Sequence, residues 1–124
     1  MQAPFAEDDR LIDRPIALLA LEPAELTSKL GIRFEEGEDD LDRLQAAAIK
    51  AKDGRRFVLI RHEHQPRPGT EIRTRFDSSD LTGDLAAVLR TLGLPWSSVL
   101  WWHPDISIDD LCHELRDIGA RRHS

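Results

Sequence analysis

The stretch Lys52-Asp53-Gly54-Arg55-Arg56, running straight into Phe57-Val58-Leu59-Ile60, constrains this chain more than any other. Asp-Gly beside a run of apolar, β-branched and aromatic residues is a strong local signal for a β-hairpin. A strand must therefore precede it. Leu41 to Lys52 can be read two ways: its alanines favour helix by propensity, with Leu41, Leu44, Ala48 and Ala51 on one stripe. A lone strand beside the turn would leave a row of backbone groups unpaired, so the strand is the expectation. With Asp53-Gly54 as a two-residue loop, Ile49 stands opposite Val58, Ala47 opposite Ile60 and Gln45 opposite His62, all on the core face. Pro66 and Pro68 break the second strand and Gly69 turns it. Thr70 to Phe76 resumes with Ile72, Thr74 and Phe76 on one side and Glu71, Arg73 and Arg75 on the other. A three-stranded antiparallel meander follows.

The remaining pattern adds helices. Pro23 suits a first helical turn, Leu26 and Leu30 share a face, and Gly31 supplies a stop. Glu35-Glu36-Gly37-Glu38-Asp39-Asp40 reads as an acidic turn. Asp77-Ser78-Ser79-Asp80 offers N-caps for a helix carrying Leu81, Leu85, Val88, Leu89 and Leu92 up to Gly93. Val99-Leu100-Trp101-Trp102 reads as a further strand halted by His103-Pro104. Ser107 or Asp109 starts a last helix with Ile108, Leu111, Leu115 and Ile118, ended by Gly119 before a basic tail. Ile16 to Leu21 is continuously apolar and too short for periodicity to choose between strand and helix. The expected fold is α+β: an antiparallel meander sheet of about four strands with helices packed on one face.

Residues 1–14 are acid-rich and interrupted by Pro4, and read as a flexible lead-in to a single domain over 15–124. No basic region followed by a long apolar stretch opens the chain, so a cytoplasmic location is the expectation. A net charge of −6 disfavours electrostatic binding to nucleic acid, which needs a basic face. The single cysteine, Cys112, excludes an intramolecular disulfide.

Chemistry-bearing residues are few. His62-Glu63-His64 puts two imidazoles at the spacing that shares a strand face, and His103 would complete a divalent-metal set if the strand ends converge. The plainer reading makes them half-exposed histidines at a strand end. No nucleophile elbow and no glycine-rich phosphate loop is present. Arg61, Arg73 and Arg75 concentrate positive charge on the expected sheet, as a recognition surface or as a solvated face of Arg–Glu pairs. Trp101 and Trp102 are adjacent on a strand and point to opposite sides, so one of them faces away from the core. Exposed tryptophan is enriched at binding hot spots. The expected function is a non-catalytic protein-interaction module of the immunity, antitoxin or regulatory-adaptor type. It has no cofactor, and it meets a protein partner or a second copy through Trp101 or Trp102 with Arg61, Arg73 and Arg75 around it. The alternative is a metal-binding protein or enzyme using His62, His64 and His103.

Gly69-Thr70-Glu71-Ile72, the helix ending Leu92-Gly93-Leu94-Pro95, and Val99-Leu100 running into His103-Pro104 resemble the C-terminal half of the XisI-like element excision controlling factors. The resemblance covers less than half the chain. It implies a small α+β protein acting as an accessory in DNA-element excision, with no catalytic residues to carry over. Arg73 to Asp80 is extra relative to that pattern, and Leu41 to Ile60 does not match it.

Overall fold

The computed structural model describes residues 1–39 and 42–123, and of Asp39 and residues 116–123 it describes the backbone alone. Leu41, the acid pair at 39–40 as side chains, and the side chains of Ile118 and the basic tail lie outside the described residues. The elements are β1 (Gln2–Ala3), β2 (Arg14–Leu19), α1 (Pro23–Leu30), β3 (Glu35–Asp39), β4 (Asp42–Lys50), β5 (Arg56–His62), β6 (Thr70–Thr74), α2 (Leu81–Leu92), β7 (Val99–Trp102) and α3 (Ile108–His123). All strand pairs are antiparallel, in the order β1-β4-β5-β6-β2-β7, with β3 also on β4. The fold is α+β as expected, but the sheet has seven strands rather than about four. Ile16 to Leu19 is strand, two N-terminal residues add β1, and the acidic segment expected to be a turn is the edge strand β3.

The hairpin forms where Asp53-Gly54 places it, with a different register. Ala51 N–H donates to Arg55 O at 2.9 Å, so the loop is the three residues Lys52, Asp53 and Gly54, with Gly54 at φ 94° and Asp53 not at positive φ. A two-residue type I′ loop needs both central residues left-handed, whereas the three-residue loop needs only the glycine. The consequence is a one-residue shift: Ile49 faces Phe57, Ala47 faces Leu59 and Gln45 faces Arg61. Phe57 and Leu59, not Val58 and Ile60, enter the main core. A shift of one moves every side chain to the opposite face.

That core lies between one sheet face and the helices. Ile16, Leu19, Ala47, Ile49, Phe57, Leu59 and Ile72 pack with Leu26 of α1, with Leu81, Leu85, Val88, Leu89 and Leu92 of α2, and with Leu111 of α3. Asp80 caps α2 by accepting from Gly83 N–H, and Gly93 ends it at φ 67°. The buried Asp84 of α2 accepts from Thr74 Oγ1 at 2.8 Å and Arg55 Nη1 at 3.2 Å, tying the helix to β6 and the hairpin. Gly119 does not terminate α3, which runs on to His123. Phe76 lies past the end of β6 and is exposed rather than on the Ile72 and Thr74 face.

The second face carries a smaller cluster of Ile12, Ala46, Val58 and Ile60, with Leu44 packed against it. The N-terminal segment holds defined places here. Gln2 exchanges side-chain hydrogen bonds with the Arg33 backbone, and Met1 O accepts from Lys50 N–H. Asp9, in a 3-10 turn over Glu7–Leu11, takes two bonds from Arg56, at 2.9 and 2.8 Å. The Arg56 hydrogen bond, helped by the Ala6 N–H, holds the Asp9 carboxyl below its ordinary 3.8 although burial pushes the other way. A carboxyl depressed in the fold stabilises above its unfolded pKa and loses that contribution as pH falls below it. Asp9→Asn is therefore expected to cost about 2 kcal/mol at pH 7. Urea unfolding of both proteins checks this: the gap should close as pH falls below 3.8. A gap unchanged at pH 3 would contradict the ion-pair account.

Candidate functional site

Two surfaces stand out, one at each edge of the sheet. At the β3 edge, register builds two cross-strand rungs, Glu36–Gln45–Arg61 and Glu38–Arg43 with Glu63, whose N–H donates to Arg43 O at 2.8 Å. These residues, with Gly37 and Leu44, line an open groove of about 420 Å³. Arg61 is committed within it: Nε meets Glu22 Oε2 at 3.1 Å, and Nη1 donates to Gly69 O at 2.9 Å and Arg67 O at 3.0 Å.

Beside the groove, the turn after β5 folds back on the start of β4. His64 N–H donates to Asp42 Oδ2 at 3.2 Å, and His64 Nδ1 lies 2.8 Å from Asp42 Oδ1. Asp42, Glu63 and His64 each offer a ligand atom, all within 4.8 Å of one another. Desolvation acts to raise the Asp42 carboxyl, but the His64 N–H and imidazole and the charge of His62 outweigh it, and the group sits below its ordinary range. A carboxylate–imidazole pair is a proton-transfer unit in a closed site. Here the His64 side chain is 76% exposed, so water is not excluded from the pair.

The three histidines expected to share a metal do not meet. β5 ends at His62, so His64 lies in a turn and not two residues along a strand face. His103 follows β7, which β6 and β2 separate from β5, a span of about 14 Å at ordinary strand spacing. Its N–H donates to Ile16 O at 2.8 Å and its Nδ1 accepts from Asp105 N–H at 3.0 Å. The arginine face is divided as well. Arg73 lies opposite Val58 on the second face and pairs with Glu71 at 2.6 Å, while Arg61 lies on the helix side. Arg75, beyond β6, pairs with Asp77 at 3.0 Å.

The tryptophans sit at the opposite edge. Among the described residues β7 pairs only with β2, so its other side is a sheet edge. Ala17 faces Trp102 and Leu18 faces Trp101, so the two rings do point to opposite faces; Trp101 is half-buried and Trp102 is 37% exposed. Trp102 rests on Trp96, ring centroids 4.9 Å apart and planes tilted by 57°. The register slips between Leu18 and Leu19, leaving Leu100 opposite no residue of β2 and 52% exposed. Leu100 and the Trp96–Trp102 contact were not readable from strand alternation, because the bulge breaks it.

Comparison with protein-family models, with curated proteins and with solved structures finds no match to this chain. The XisI-like resemblance therefore rests on the quoted residues alone. Among the described residues, no helix is long and apolar enough to cross a membrane.

Proposed function

We propose that this chain is a non-catalytic protein-interaction module whose contact surface is the β7 edge with its aromatic cluster. The observation that carries the reading is the contrast between the two sheet edges. β3 reads Glu-Glu-Gly-Glu-Asp, and charge of this kind is how native sheets keep a strand edge from pairing with other chains. β7 reads Val-Leu-Trp-Trp, carries no charge, and leaves Leu100 and Trp102 in water. The occupant that an uncharged strand edge suits is a second copy, paired strand to strand. With a net charge of −6 two copies repel over most of their surface, and β7 is where they can meet without opposing carboxylates. Edge-to-edge pairing about a two-fold axis closes on itself and does not propagate, since the β3 edge stays guarded.

The contact is small. Four residues and their neighbours fall short of the roughly 800 Å² per partner of a standard interface, so affinity on the order of micromolar is expected. Trp102→Ala should weaken association about 30-fold, the effect of losing a hot spot worth about 2 kcal/mol. Because Trp102 also packs on Trp96, Leu100→Glu is the cleaner variant: it puts a carboxylate on the edge without removing a buried contact. Sedimentation velocity should find Leu100→Glu monomeric with an unchanged circular-dichroism melt. Association unchanged in Leu100→Glu would remove β7 as the contact surface.

A further inference from the structure

We propose that Asp42, Glu63 and His64 form a binding site for one divalent transition-metal ion, of which zinc is the natural probe. One imidazole and two carboxylates is a ligand set such ions accept, at about 2.0–2.2 Å from each donor atom. In a tetrahedral site with those bonds the donors stand about 3.3 Å apart. Here they already lie within 4.8 Å of one another. The chain brings them together by backbone register and not by chance proximity of loops. Pairing of β4 with β5 sets Leu44 opposite His62, and the Glu63 N–H to Arg43 O bond carries that pairing one step past the strand end. The fold thus brings the three residues together before an ion arrives.

An independent feature gives the site a use. Glu63 is also a wall of the groove formed by Glu36, Glu38, Arg43, Gln45 and Arg61, so a three-donor ion there keeps an open coordination position beside a cavity of about 420 Å³. An ion with an open position can hold a donor group of a small ligand that enters the groove. Glu63 and His64 are exposed and Asp42 is half-buried at the surface, so the ion is not a folding nucleus. Its removal leaves the protein folded, which separates this site from a structural zinc centre.

Calorimetric titration of the full chain with zinc chloride tests the assignment, beside Glu63→Gln and His64→Ala. The wild type should bind one ion per chain, Glu63→Gln should bind at least tenfold more weakly, and His64→Ala should lose the site. All three should give the same circular-dichroism spectrum without metal. Absence of uptake by the wild type would overturn the proposal. So would uptake that Glu63→Gln and His64→Ala leave unchanged, since the ion would then be held elsewhere. Asp42→Asn serves as the check if His64→Ala perturbs the turn, and binding that survives it undiminished counts against the site equally.

Discussion

Gly69→Ala is expected to be among the most damaging single substitutions in this protein, lowering stability by about 3–5 kcal/mol. Gly69 has φ +110°, a region open essentially to glycine, and a Cβ there would lie 2.0 Å from Leu19 O. That oxygen is backbone of β2, fixed between β6 and β7, and cannot swing aside as a side chain would. The residue is also wired in both directions: its N–H donates to Glu22 Oε1 at 2.9 Å and its carbonyl accepts from Arg61 at 2.9 Å. Relieving the clash would pull on both bonds, and hydrogen bonds to charged groups are worth about 1.5–3 kcal/mol each. Gly31→Ala is the control, since Gly31 has φ +72° with nothing within 4 Å of a Cβ. It should cost about 1 kcal/mol, the backbone term alone. Urea denaturation of both variants reads the difference, and a Gly69→Ala protein no less stable than Gly31→Ala would contradict the close approach.

Phe57→Ala should cost a comparable amount, about 3–5 kcal/mol, against a total stability of roughly 5–15 kcal/mol for a domain of this size. Phe57 heads the largest side chains that are fully buried, and it sits in the main cluster between sheet and helices. This substitution reads the hairpin register directly. With the three-residue loop the ring belongs to the core, and with a two-residue loop it would point to the second face. A loss under about 1 kcal/mol on guanidinium unfolding would mean that little packs on the ring and that the two-residue register holds.

Much of this fold was legible because its strongest elements announce themselves locally. Leu81, Leu85, Val88, Leu89 and Leu92 mark α2, with its end at Gly93 and its start among the four N-cap candidates of 77–80, and the meander of β4, β5 and β6 follows from one Asp-Gly and the Pro66–Gly69 break. What escaped was set by pairing rather than by side-chain pattern. β3 has no apolar alternation, since as a charged edge it is held by backbone bonds to β4 alone, and so its acids read as a turn. The Asp-Gly signal serves loops of two and of three residues, and that single ambiguity misplaced Val58, Ile60 and Arg61. Of the surfaces, the divergence of Trp101 and Trp102 was readable from adjacency. Asp42 with His64 was not, because residues 22 apart meet only once the register is known.

The measurement that bears most directly on the β7 edge is the mass of the untagged wild-type protein by light scattering, from about 1 to several hundred micromolar. The account predicts a rise from the 14.1 kDa of one chain toward twice that value and no further, because two-fold pairing closes and the β3 edge does not pair. A mass that stays at one chain throughout would contradict a second copy on β7, and one that climbs past two chains would contradict closure.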